Sequence, residues 1–306
     1  MEDVVMPAEP SSRSRGREEG AEGGRVRLPS GCTVYRHVFR PAGKPVAGML
    51  LVHGLGEHLQ RYAELGIFLA ERGILGIGVD FPGHGRSPGQ RGHLPGWDRL
   101  VELLDDLSLQ LREELADGME MGLFAHSFGA YLGVDYLARR PGLFRMAWLS
   151  SPLVDPSWRQ PGWLLRVAGL AGLICPRLPI YTGVRSSECR EMSLIGQEAE
   201  RDPLLHPFVS AGFGSEMLQQ IDRVRMAATV LPAGLDLFMT HGSADAVCPA
   251  SFSRELFETM PCQRKAYHLI PGALHEPLLG ERRGLVWEIA GEWMDGLGYP
   301  VGPASS

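Results

Sequence analysis

Residues 119–136 read MEMGLFAHSFGAYLGVDY, and this stretch decides the fold. A short apolar run, Met121 to Ala125, is followed at once by His126-Ser127-Phe128-Gly129, and then Tyr131, Leu132, Val134 and Leu137 recur at helical spacing. The pattern predicts a strand, a sharp turn and a helix, with Ser127 at the apex. Such an elbow lifts a hydroxyl clear of the sheet, while the first turn of the helix offers unpaired N–H groups and the positive end of its dipole. The frame departs from the usual one at Ala125, where an elbow normally carries glycine. Strand and helix backbones approach closely there, so a methyl is expected to fit and a larger side chain is not. A serine at this kind of turn equally suits a helix N-cap, so the chemical reading depends on partners elsewhere in the chain.

Upstream of the elbow, Val46 to Val52 is a continuous apolar run of the kind a buried parallel strand produces. It ends in His53-Gly54-Leu55-Gly56-Glu57-His58, where glycines let backbone N–H groups face a cavity rather than a ladder. The N–H of Leu55 is therefore a candidate oxyanion donor beside that of Phe128. A helix is predicted from about 59 to 72, stopped by Gly73, and an edge strand from 32 to 39. The strand 74–79 runs into a turn dense in Gly and Pro. Asp80 is expected to accept backbone hydrogen bonds there, with His84 also structural. Trp97 to Leu115 is a long amphipathic helix. Downstream, strands at 145–149, 235–240 and 264–270 and helices at 249–260 and 283–294 continue the alternation.

Strand alternating with helix predicts an α/β fold with a mostly parallel, doubly wound sheet, whose sites gather at the carboxyl ends of the strands. The alternation fails between 153 and 228, which shows no clear strand but helical patches at 158–175 and 208–226. This segment is read as an inserted helical cap, or lid, and 25–152 with 229–300 as the core. Its apolar residues, including Trp158, Trp163, Leu170, Leu173 and Ile174, suit in part the cap's own packing and in part an acyl-chain wall. Residues 1–24 are polar and rich in Gly, Ser, Arg and Glu, without the apolar centre of a signal peptide, and read as a disordered tail.

A serine hydroxyl attacks well near neutral pH only if a base takes its proton, and the base needs a carboxylate to hold its tautomer. Ser127, Asp245 and His275 occur in that chain order, each in a loop after a predicted strand. Asp155, after the preceding strand, is a rival acid; the Gly242-Ser243-Ala244-Asp245 loop, just before the last strand and the histidine, favours Asp245.

With 306 residues, 44% hydrophobic and 22% charged, the chain has ordinary globular composition. A net charge of −6 and the absence of a Lys/Arg run exclude nucleic acid as the expected partner. Five cysteines without CxxC spacing argue against a disulfide framework or zinc site and fit a reducing, cytoplasmic setting. No metal or cofactor is implied. The longest apolar stretch, Trp163 to Ile174, contains Arg166 and is too short to span a bilayer.

Leu51 to His58, Arg61-Tyr62, Gly83 to Arg91, the elbow, Asp202-Pro203-Leu204, Gly242 to Asp245 and His275-Glu276 together resemble the monoacylglycerol lipase and lysophospholipase group of α/β-hydrolases. The resemblance covers about residues 30–295 and includes the spacings from Ser127 to Asp245 and from Asp245 to His275. It implies an α/β-hydrolase fold and hydrolysis of monoglycerides or related lipid esters. The roles it implies are Ser127 as nucleophile, His275 as base and acid, Asp245 as orienter, and the Leu55 and Phe128 N–H groups as the oxyanion hole. It further implies a cap that contacts membrane surfaces. Outside Asp202 to Leu204 the cap resembles the group weakly, so carboxylesterase, peptidase and C–C hydrolase readings stay open beside the lipase one, as does a silent binding module for an apolar ligand.

Overall fold

Five strands whose residues are all buried form the centre of the molecule, and each ends near the same face. The computed structural model describes residues 21–191 and 201–298. These strands are β3 (Ala47–Val52), β4 (Ile74–Asp80), β5 (Met121–His126), β6 (Met146–Ser150) and β9 (Asp236–Gly242). Burial on both faces is why they read as apolar runs rather than alternating ones. With β1 (Ala21–Arg27), β2 (Thr33–Phe39) and β10 (Lys265–Ile270) they make a sheet in the order β1-β2-β4-β3-β5-β6-β9-β10. The β1-β2 and β2-β4 pairs are antiparallel, and every other pair is parallel.

Helices cover both faces, as the doubly wound reading requires. On one side, α1 (Ala63–Glu71) and the closing helix, Arg283–Gly296, bury Leu65, Phe68, Leu69, Val286, Ala290 and Met294 against Met49, Phe124 and Trp148. On the other, α2 (Trp97–Glu113) contributes its leucine stripe, Leu100, Leu103, Leu104, Leu107 and Leu111, and packs with α3 (Phe128–Arg139) over Leu50, Leu123 and Leu149.

Three sequence expectations need correction. β1 begins at Ala21, so the last four residues of the stretch read as tail are in a strand; their backbones pair with β2 from Ala21↔Phe39 to Arg27↔Thr33. Residues 1–20 lie outside the described residues. For the same reason β2 is not an edge: β1 covers it on one side and β4 on the other. The cap also holds strand. β7 (Pro179–Tyr181) and β8 (Phe208–Ser210) pair antiparallel, each of three residues and too short to show a period of two. The other described elements of this segment are helices: α4 (Gly162–Ile174), α5 (Ser186–Cys189), α6 (Ala211–Gln219) and α7 (Ile221–Thr229). Residues 192–200 of the cap lie outside the described residues. The helix expected at 59–72 opens with a 3-10 turn, Leu59–Tyr62, before α1.

Candidate active site

Ser127 sits between β5 and α3 with φ 51° and ψ −115°, a strained conformation for a residue with a side chain. Its neighbours hold it there. The Ser127 N–H donates to the Ser150 carbonyl at 2.9 Å, and its own carbonyl accepts from Leu153 and Tyr131 N–H, both at 3.1 Å. The turn also needs Gly129, because a Cβ there would stand 2.5 Å from the His53 oxygen and 2.6 Å from that of Val52. The Ala125 methyl is fully buried and faces Gly133 of α3, where a Cβ would stand at 3.4 Å from it, an ordinary contact distance.

The three residues picked out by chain order meet. His275 Nε2 lies 2.8 Å from Ser127 Oγ, and His275 Nδ1 lies 2.8 Å from Asp245 Oδ2. With the Nδ1 proton donated to the carboxylate, Nε2 is left to accept from the serine hydroxyl. Asp245 divides its oxygens: Oδ1 accepts the Val247 and Cys248 N–H groups at 2.8 and 2.9 Å, fixing the loop, while Oδ2 faces His275. Asp155 instead accepts from the N–H and hydroxyl of Ser157 and faces Arg225 at 3.4 Å. Asp80 accepts from Leu59 and Arg86 N–H and faces His37, and His84 packs against the Pro82 carbonyl. Both match the structural roles expected for them.

Backbone orientation sets where the N–H groups of the other two candidate residues, Leu55 and Phe128, point. His53 Nε2 accepts from Phe81 N–H, so its Nδ1 carries the proton and donates to the Gly54 carbonyl at 2.7 Å. A trans peptide sets C=O and N–H in opposite directions, so the Leu55 N–H points away from His53. Position 54 itself abuts Ser127, since a Cβ there would be 3.2 Å from Ser127 Cβ. In the same way the Ser127 carbonyl is turned toward Leu153 and Tyr131, which turns the Phe128 N–H the other way at the first helical position, where no intrahelical acceptor exists.

Charge around the imidazole is arranged to favour its protonated form. Burial pushes His275 down, but the Asp245 charge and hydrogen bond, with Glu276 and Glu57, outweigh burial and raise it above 6.5. Burial pushes Asp245 up, yet His275 and the hydrogen bond from His241 hold it well below the usual carboxylate range. His241, 2.9 Å from Asp245 Oδ2 and buried, is a residue the sequence reading missed. So is His126, whose ring centroid lies 5.0 Å from that of His275 and which burial pushes down to about 4. A buried ionic cluster of Glu57, Arg61, Glu276 and Arg190 was missed as well. Both histidines directly follow the strands expected from sequence, a position that marks them as near the site; the cluster has no spacing that reveals it. Among the described residues no group of three or more His, Cys, Asp or Glu is placed to hold a metal ion.

Residues 43–283 match the family model described as Serine aminopeptidase, S33. Monoglyceride lipase of Rattus norvegicus is 30% identical over 249 residues, 79% of each chain. An uncharacterized abhydrolase domain-containing protein of Dictyostelium discoideum is 28% identical over 230 residues, 75% of this chain but 24% of that longer one. The crystal structure of Paleococcus ferrophilus monoacylglycerol lipase superposes with a TM-score of 0.77 at 28% identity, covering 86% of this chain and 98% of that one.

Proposed function

Because the chain belongs to the serine aminopeptidase S33 family of α/β-hydrolases, we infer that it hydrolyses monoacylglycerols or lysophospholipids through Ser127, His275 and Asp245. It is a serine ester hydrolase; the particular ester and the residues that cleave it are what we propose. One observation carries the reading: the unbroken hydrogen-bond line from Asp245 Oδ2 through His275 to Ser127 Oγ, at 2.8 Å for each link, on a strained elbow.

In the proposed reaction Ser127 Oγ attacks the ester carbonyl carbon while its proton passes to His275 Nε2. The carbonyl oxygen becomes an oxyanion held by the Leu55 and Phe128 N–H groups, each contributing about 3 kcal/mol by analogy with other acyl-transfer enzymes. The intermediate collapses, and the leaving alkoxide takes the proton from Nε2 as it departs. Water, deprotonated by the same nitrogen, then attacks the acyl-enzyme and releases the acid and free Ser127. Asp245 keeps the imidazolium in register and stabilised throughout.

The lipid reading is favoured over the peptide reading by the cap. Trp163, Val167, Leu170 and Ile174 form one stripe on α4 and are exposed, with Leu173 beside them 84% exposed. We propose that this stripe rests on a lipid surface while the ester is taken up beneath it. Among the described residues no helix is long and apolar enough to cross a membrane. From the cysteine content and the exposed stripe we propose a cytoplasmic setting, peripheral to membranes.

A substrate panel tests the assignment. Medium- and long-chain monoacylglycerols or lysophosphatidylcholine are expected to give kcat/KM above that of p-nitrophenyl butyrate, with no cleavage of a peptide amide. A preference for the short soluble ester makes the chain a carboxylesterase, and cleavage of the peptide alone makes it a peptidase.

A further inference from the structure

We propose that Arg190 of the cap and Glu276 of the core form a buried latch through which the seated cap holds the His275 loop in register with Ser127. The inference rests on the triad reading above and concerns what positions that triad. Both residues are positioning residues, neither reaching the reacting atoms.

Glu276 follows the base directly in the chain and is buried, yet it carries a carboxylate with two cationic partners. Arg61 grips it in a fork, Nη1 to Oε1 at 3.0 Å and Nη2 to Oε2 at 2.6 Å, and Arg190 Nη1 reaches Oε2 at 2.7 Å. All three side chains are less than one tenth exposed. Arg61 also grips Glu57 at 2.5 Å, and Glu57 accepts the Gly54 N–H at 2.5 Å and the Tyr62 hydroxyl at 2.8 Å. One line of charge thus runs from the cap, through the residue beside the base, to the backbone of the oxyanion loop.

The cap reaches the same two loops by further hydrogen bonds, two between backbones and two through the Glu191 and Asp202 carboxylates. Cys189 accepts the Glu276 N–H at 2.8 Å, and Glu191 accepts the Glu281 N–H at 3.2 Å, so cap residues 189–191 lie along the loop after His275. At the other loop, the His206 N–H donates to the Gly56 carbonyl at 2.9 Å, and Asp202 faces His58 at 2.7 Å. The cap therefore clasps the base loop and the oxyanion loop, and the base loop is the one joined by a buried charge. Leaving Glu276 buried with one cation fewer is costly, because a desolvated carboxylate depends on its partners. The relief open to it is movement of the 275–276 backbone, which displaces the imidazole. A shift of ~1 Å in a catalytic group is enough to cost about 100-fold in rate.

The charges facing His275 give the proposal a readout that packing alone does not move. They are Asp245 from the loop after β9, His241 from the end of β9 itself, His126 from β5, Glu57 and Arg61 from the oxyanion side, Glu276 from its own loop and Arg190 from the cap. Removing the Glu276 anion lowers the pKa of His275, and removing the Arg190 cation raises it. The acid limb of the kcat/KM profile is then expected to move in opposite directions in Glu276→Gln and Arg190→Met.

The experiment measures kcat, KM and the pH profile on p-nitrophenyl butyrate, a soluble ester that needs no acyl-chain wall, for wild type, Ser127→Ala, Glu276→Gln, Arg190→Met and Arg190→Lys. Arg190→Met is expected to lose about 10- to 100-fold in kcat with KM nearly unchanged, to shift the acid limb upward, and to be partly restored by Arg190→Lys. Glu276→Gln is expected to shift the limb downward. An Arg190→Met enzyme with wild-type kcat and limb, or one impaired in KM alone, overturns the latch. Should Arg190→Met fail to fold, Glu276→Gln decides: a limb displaced downward supports the latch and an unmoved limb overturns it. Activity surviving in Ser127→Ala instead refutes the triad reading, which separates the two failures.

Discussion

Asp245 shows how one side chain can serve both its loop and the proposed chemistry. Oδ1 is committed to the Val247 and Cys248 N–H groups, and Oδ2 to His275. An amide at this position keeps an oxygen for the loop but offers an NH2 group toward His275 Nδ1. That favours the wrong tautomer, with the proton on the nitrogen that should accept from Ser127. Asp245→Asn is therefore expected to lower kcat by about 10⁴-fold while leaving the fold intact, and Asp155→Asn to stay close to wild type. Both are read by steady-state kinetics, and loss of turnover in Asp155→Asn alone would move the orienting role there. At this scale the meeting of Ser127, Asp245 and His275 in one candidate site was legible in sequence because each follows a strand that reads clearly. Glu57, Arg61, Arg190 and Glu276 were not, since a cluster gathered from four distant positions leaves no period and no motif.

Among the elements, the elbow depends most on close backbone approach. Gly129 starts α3 against the end of β3, where the oxygens of Val52 and His53 leave no room for a Cβ. Gly129→Ala must therefore push the helix from the strand that leads into the oxyanion loop. It is expected to cost about 1–3 kcal/mol of stability, the usual range for overpacking, and to lower kcat as the Phe128 and Leu55 N–H groups separate. Denaturant melts and kinetics read the two effects; unchanged values in both would mean that the turn is looser than described. The same scale explains what the sequence reading of the fold reached. Strands buried on both faces, β3 to β6 and β9, read directly from apolar runs. β1, with the sequence AEGGRVR, is held by its backbone ladder and has no run to read. β7 and β8 are too short for one.

For the whole molecule, buried ionisable groups set the pH range in which it stays folded. Burial pushes His126 and His206 down to about 4, so the folded chain keeps them neutral while the unfolded chain binds protons below 6.5. Burial raises Glu276, but Arg61 and Arg190 bring it down to about 2 from 4.5, so it too takes up its proton first in the unfolded chain. Each gives stability that is lost as pH falls. His275, with its raised pKa, works in the opposite direction and offsets part of the loss. Thermal melts are expected to show Tm falling as pH drops below about 6.5 toward about 4, through the two histidines, and continuing to fall toward about 2, through Glu276; a Tm constant over that range would mean that the buried groups titrate alike in both states. The position of the cap over two active-site loops was not legible from composition or pattern. It arises from contacts such as Cys189 to Glu276 and His206 to Gly56, which join residues far apart in the chain.

Above all of these stands the assignment of Ser127 as the nucleophile of an ester hydrolase. The most direct measurement is labelling of the intact protein by a fluorophosphonate, followed by mass spectrometry of the labelled peptide and by p-nitrophenyl butyrate hydrolysis, in wild type and in Ser127→Ala. Wild type is expected to gain one adduct, on Ser127, and to lose its hydrolysis in step with labelling, whereas Ser127→Ala takes up no label and turns over at least about 10⁴-fold more slowly. An unlabelled but folded wild type, or a Ser127→Ala protein that hydrolyses the ester at the wild-type rate, would contradict the account.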